Sequence, residues 1–210
     1  DWSSDVCSSD LADASLMSSA PYDIFGIFSD ADFPYSDITL SDGKTFKLDK
    51  PAFSLNRSLT NREDRKKVFA TFFNRLNDFN RTFGSQLYSE VKKDMFYKNA
   101  RKYESSLQSA LDANNIPTQV YHSLVDNVNA NLSTFHRYLK LRKRILGVDQ
   151  LHYYDLYAPL VQGVKLDYTL EEAEKNILAA LKPLGDGYVS TVKKAFDDRW
   201  LDMFPTAGKR

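Results

Sequence analysis

No run of apolar residues in this sequence approaches the ~18 that a membrane-crossing helix needs, which excludes an integral helical membrane protein. Neither sign of charge dominates: 28 Lys and Arg stand against 28 Asp and Glu. That balance argues against a nucleic-acid binder, whose affinity rests on an excess of cations facing phosphates. There is one cysteine, Cys7, so no intrachain disulfide can form. Internal repeats and low-complexity tracts are absent as well. What is present, 42% hydrophobic and 27% charged residues in a chain of 210, is the composition of an ordinary globular protein of one large or two small domains.

The first eleven residues, Asp1 to Leu11, stand apart. They show no apolar periodicity, and no basic stretch leads into an apolar one, so they are neither an amphipathic element nor a secretory signal. They match the conceptual translation of a common sequencing adapter in one reading frame. We therefore expect this segment to be non-native and the native chain to continue further at its start. Setting it aside removes Cys7 and three acidic residues, leaving 28 basic against 25 acidic side chains. A cysteine-free remainder fits a reducing compartment, and a cytoplasmic location is expected.

From Ala12 to Asp37 the pattern is irregular, with Pro21, Gly26 and Pro34 among short aromatic clusters. Ile38-Thr39-Leu40 and Thr45-Phe46-Lys47-Leu48 alternate on either side of Asp42-Gly43, the pattern of a β-hairpin near residues 38–48. Beyond Pro51 the period becomes helical. Thr60 with Glu63 predicts a capping box and a helix start near Asn61. Phe69, Phe72, Phe73, Leu76, Phe79 and Phe83 recur on one predicted face, which reads as core, with Gly84 as its end. Leu87, Val91 and Met95, then Ala100, Tyr103, Leu107 and Leu111, predict two further helical segments closed by Asn114-Asn115-Ile116-Pro117. Val120, Leu124, Val128, Leu132, Phe135, Leu139 and Ile145 predict one long helix stopped by Gly147. At 1.5 Å per residue, its roughly 29 residues would span about 43 Å. Thr169 with Glu172 predicts a second capping box, Pro183 and Gly185 a break, and Val189, Val192, Phe196 and Trp200 a last helix interrupted at Pro205. The fold class expected is all-α, built of long helices with one small hairpin.

Chemistry is hard to find. His122, His136 and His152 lack the spacing of a zinc helix, and no phosphate-cradling glycine loop or nucleophile elbow occurs. His122 and His136 read as ordinary helix histidines. The basic run His136 to Arg144 reads as a solvated helix face near a C-terminus, where cations oppose the helix dipole, in preference to a phosphate-binding surface. Tyr153, Tyr154, Asp155 and Tyr157 allow two readings: tyrosines and a carboxylate lining a substrate cleft, or a polar hinge between helical blocks.

Three groups of residues, taken in order and spacing, resemble oligoendopeptidase F, a bacterial zinc metallopeptidase of the thimet-oligopeptidase group. They are Tyr103 to Leu107 with Asn115 to Tyr121; Arg137-Tyr138-Leu139 through Leu141 to Gly147, leading to Tyr154-Asp155-Leu156-Tyr157; and Leu184-Gly185 with Tyr188, Arg199 to Asp202 and Gly208-Lys209-Arg210. The similarity runs from about Asp30 onward. It implies a largely helical body with a deep channel admitting short peptides, residues 12–116 forming an N-terminal helical domain and 117–210 opening the catalytic domain. It also implies Zn2+ held by a His-Glu-x-x-His helix and a downstream glutamate, with the motif glutamate activating zinc-bound water. That apparatus would lie beyond Arg210, in a C-terminal half not included in this sequence. No catalytic or metal-binding position maps onto this chain, and its substrate contacts are not identified. The expectation is an inactive N-terminal fragment of a cytoplasmic peptidase, with short peptides as the parent's partners and neither nucleic acid nor membrane among them. The alternative is a non-catalytic helical interaction module.

Overall fold

A computed structural model describes residues 8–161 and 168–204. Most of the segment resembling adapter sequence (residues 1–7), the break expected at Pro205 and the Gly208-Lys209-Arg210 motif lie outside the described residues. The chain divides into two compact units, one up to Leu160 and one from Val161.

The first unit is organised around the hairpin. β1 (Asp37–Thr39) and β2 (Thr45–Lys47) pair antiparallel, with Ile38 opposite Phe46. Gly43 alone takes the left-handed conformation at the turn (φ +83°), where a Cβ would be strained, and Asp42 accepts the Lys44 N–H. On the outer face the Thr39 and Thr45 hydroxyls bond at 2.8 Å. The inner face delivers Ile38, Leu40 and Leu48 to a core completed by Val68 and Phe72. Val68 and Phe72 come from α4 (Arg62–Asp78), reached through α3 (Lys50–Asn56), which Asp49 caps by accepting the Ala52 N–H. Asp64 fastens α4 to the hairpin turn through the Ser41 N–H and hydroxyl, at 2.9 and 2.5 Å.

The α4 start lies where the sequence places it, but the cap is Asn61, not Thr60. The Asn61 side chain accepts the Glu63 and Asp64 N–H groups, while the Thr60 carbonyl is taken by Arg65. Asn61→Ala should therefore cost about 0.5–2 kcal/mol and Thr60→Ala much less. Urea midpoints of the two variants check this directly, and equal losses would return the cap to Thr60.

Other boundaries differ from expectation for local reasons. α1 (Ser8–Ser15) begins within the segment resembling adapter sequence and runs into the irregular stretch from Ala12, which also contains α2 (Ala20–Ile27) and a π-helical turn (Phe28–Asp32). Pro21 sits in the first turn of α2, where its missing N–H costs nothing, and an apolar surround hides any amphipathic period. The phenylalanine stripe does not end at Gly84. α4 stops at Phe79, and α5 (Asn80–Ala100) runs through the glycine, a cost of about 1 kcal/mol relative to alanine. Ala100 closes α5, Lys102 turns the chain at φ +58°, Tyr103 lies in the connection, and α6 (Ser106–Asp112) follows.

The expected long helix is two: α7 (Thr118–Ala130) and α8 (Leu132–Leu146), broken at Asn131. There the Asn131 amide side chain takes the Asn127 carbonyl at 2.8 Å and its backbone N–H shifts to Val128. Gly147 does end α8, in the left-handed conformation at φ +64°. Its neighbour Val148 donates to the Lys143 carbonyl, as in a Schellman turn.

In the second unit Thr169 and Glu172 form the expected reciprocal capping box of α9 (Leu170–Ala180). Pro183 lies in a 3-10 turn and Gly185 (φ +91°) leads into α10 (Asp186–Asp197). Trp200 is not part of that helix: Arg199 adopts φ +56° and the Trp200 N–H bends back to the Ala195 carbonyl. No helix among the described residues is long and apolar enough to cross a membrane.

Candidate functional site

The structure brings the Tyr153–Tyr157 segment against the start of α4. Arg62 and Arg65 are three residues apart and so share a face of that helix. Both reach Asp155, at the end of a 3-10 turn (Tyr153–Asp155) whose carboxylate is fully buried. Arg62 is bidentate, Nε to Oδ1 at 3.0 Å and Nη2 to Oδ2 at 2.9 Å. Arg65 adds Nη2 to Oδ1 at 3.0 Å, and the His152 N–H donates to Oδ2 at 3.0 Å. Four donors on two oxygens leave the carboxylate satisfied, as burial of a charge requires. Removal from water pushes the Asp155 carboxyl up, but the bonds from Arg62, the His152 N–H and Arg65 outweigh it and hold it below the usual carboxylate range.

The same arginines bind backbone. Arg62 donates to the Gln150 carbonyl, and Arg65 to those of Leu59, Thr60 and Tyr154. From the other side the buried Arg142 of α8 donates to the carbonyls of Asp155 and Ala158 and to the Tyr138 hydroxyl. Segment 150–158 is thus clasped between α4 and α8. The two readings of the cluster divide between its residues: Asp155 is the fastening, and the tyrosines line a cleft.

That cleft, about 90 Å³ in volume, has walls of Phe53, Phe69, Phe73, Tyr153, Tyr154 and Tyr157, with Arg57 and Arg65 beside them. The Arg57 guanidinium stacks 3.7 Å from the Tyr157 ring centroid, and His152 stacks on Tyr154 at 5.0 Å. The phenylalanine stripe is consequently not one core face. Phe72 is buried on the hairpin, Phe79 and Phe83 pack with Phe28 and Phe33, and Phe69 and Phe73 face the tyrosines. The basic run carries Lys143 and Arg144 in the last turn of α8, where they oppose the helix dipole, but Arg142 is turned inward. Sequence reasoning missed Arg62, Arg65 and Arg142. Spacing could have paired the first two on one face, but nothing local points to Asp155 some 90 residues away.

The profile of peptidase family M3 matches residues 55–210, which include every arginine of the clasp and Asp155. The chain belongs to peptidase family M3. Among curated relatives, this M3 chain is 36% identical over 200 residues to Oligopeptidase PepF of Bacillus subtilis, an alignment covering 95% of this chain and 30% of that protein. It is 34% identical to Group B oligopeptidase PepB of Streptococcus agalactiae, covering 95% and 33%. The crystal structure of oligoendopeptidase-F from Enterococcus faecium superposes with a TM-score of 0.70 at 34% identity, covering 89% of this chain and 35% of that one. The resemblance to oligoendopeptidase F is borne out, and so is the mainly helical fold with one small sheet. The chain spans about a third of the length of the curated relatives it matches.

The resemblance implies zinc for the parent, and this M3 chain keeps its histidines apart. His122 is on α7, His136 on α8 and His152 against Tyr154, while Asp155 is consumed by arginines. Among the described residues no three His, Cys, Asp or Glu side chains converge to hold a metal ion. The donor set among the described residues does not fit zinc.

Proposed function

We propose that this chain is the N-terminal helical portion of a bacterial, cytoplasmic, zinc-dependent oligoendopeptidase that hydrolyses short peptides with metal-activated water. Residues 12–116 would form its N-terminal domain and 117–210 the opening of the catalytic domain. The match of family M3 to residues 55–210 carries this reading, since this chain covers only about a third of the oligopeptidases named above. The surface supports it. Along α7 and α8, Val120, Leu124, Val128 and Phe135 are each more than half exposed, an apolar stripe suited to packing against further chain.

On this reading the isolated 210-residue chain cleaves nothing. With an internally quenched peptide and added Zn2+, we expect no turnover from it. The longer protein should cleave the same peptide and lose activity to a chelator. Chelator-sensitive hydrolysis by the 210-residue chain alone would overturn the assignment, and absence of hydrolysis by the longer protein would favour a helical interaction module.

A further inference from the structure

Two arginines line the cleft, Arg57 and Arg65, and Arg62 and Arg142 lie behind it in the clasp around Asp155. Arg62 and Arg65 hold the aspartate, and Arg142 holds backbone carbonyls. Arg57, the residue that closes α3, is different. One face of its guanidinium lies on Tyr157, and among the described residues no oxygen accepts a hydrogen bond from its N–H groups. Stacking of this kind fixes the plane of a guanidinium and leaves the fork of donors along its edge open, the geometry that receives a carboxylate with two parallel bonds. Asp155 cannot serve it, because both its oxygens are already bonded twice. The cleft therefore keeps an excess of cations.

Its walls call for something other than an inorganic anion. Six aromatic rings enclose about 90 Å³, the share of about three water molecules. At the rim Phe73, Tyr153 and Tyr157 are 42%, 68% and 50% exposed. Large aromatic area held open to water around a guanidinium that no protein oxygen among the described residues engages suits a ligand with one anionic and one apolar end.

We propose that this cleft binds the C-terminal α-carboxylate of a short peptide, with Arg57 holding the carboxylate and the aromatic walls receiving the terminal side chain. The choice of peptide rests on the oligopeptidase reading, while the demand for a carboxylate rests on the cleft alone. Arg57 would then be a substrate-positioning cation.

Calorimetric titration of the 210-residue chain with Ala-Ala-Phe and with Ala-Ala-Phe amide tests it. The free acid should bind at least about tenfold more tightly than the amide, since a bidentate charge-assisted pair is lost in the latter. Arg57→Gln should abolish that preference while lowering the thermal midpoint only slightly, because among the described residues no hydrogen bond depends on the guanidinium and only its stacking on Tyr157 is lost. Tyr157→Phe should retain the preference and Tyr157→Ala should weaken it. Equal binding of acid and amide, no binding of either, or inorganic phosphate binding as tightly as the peptide would each overturn the proposal. Acid-selective binding beside a longer protein that cleaves no peptide would sink the peptidase reading and leave the site standing. Cleavage by that longer protein with kcat and KM unmoved by Arg57→Gln would do the reverse.

Discussion

Asp155→Ala will destabilise the first unit by about 3–5 kcal/mol, the cost of leaving buried cations without their partner. The aspartate is wholly excluded from water, whereas Arg65 is 4% and Arg62 36% exposed. Removing the carboxylate strands Arg65 inside the protein and frees the His152 N–H, so most of the loss is desolvation that nothing repays. The pair Lys193–Asp197 of α10 is the control. Both its side chains are 55% exposed, and Lys193→Ala should change stability by no more than about 0.5 kcal/mol. Urea midpoints distinguish the two outcomes; comparable losses would mean that Asp155 is solvated in solution. The pH dependence follows in sign. The folded-state pKa of Asp155 is depressed, so its stabilisation is complete above the unfolded value near 4 and is lost as pH falls through the folded value. Asp155→Asn removes that contribution, so its stability should fall less steeply than the parent's below about pH 4.

Phe33→Ala is the second large effect, at about 3–5 kcal/mol. Phe33 is 4% exposed and lies 4.6–5.9 Å, centroid to centroid, from Tyr35, Phe79, Phe28 and Phe83. It joins the π-helical turn to the junction of α4 and α5, so its loss leaves a cavity at the centre of the ring cluster that holds them together. Phe73→Ala removes the same ring from the cleft rim, where water already reaches it, and should cost about 1 kcal/mol. Urea titration gives the difference. Limited proteolysis should show faster cutting near α2 in Phe33→Ala alone, and cutting that is unchanged would place the anchor of α2 elsewhere.

Legibility followed the range of the interactions. The hairpin was readable because Asp42-Gly43 supplies the positive φ locally and because Ile38, Leu40 and Leu48 alternate onto one face. The ends of α8 and α9 were readable because Gly147, Thr169 and Glu172 act within one helical turn of themselves. α2 was hidden because a short helix apolar on several sides has no period to detect. The break at Asn131 was hidden because an unbroken apolar stripe crosses it, while the break itself comes from one side-chain amide competing for a carbonyl. Of the candidate site, Tyr153, Tyr154, Asp155 and Tyr157 stood out as a cluster, but their division of labour did not. A carboxylate among tyrosines has the same pattern whether it faces water or guanidinium groups.

The sequence by itself determined that the chain is mainly helical with one hairpin, that it is related to oligoendopeptidase F, and where its capped helices begin. The fold class and the helix starts rest on backbone preferences or side-chain periods expressed over a few residues, and the relationship on a resemblance carried by three groups of residues in order and spacing. Only the tertiary structure decided that Asp155 is a buried fastening, that Arg142 leaves the basic run to support it, and that Arg57 is left with open donors on an aromatic wall. Those outcomes depend on which side chains meet once segments up to about 90–100 residues apart have folded together. Burial then fixes their energies, because a carboxylate beside arginines is worth little in water and several kcal/mol once water is gone.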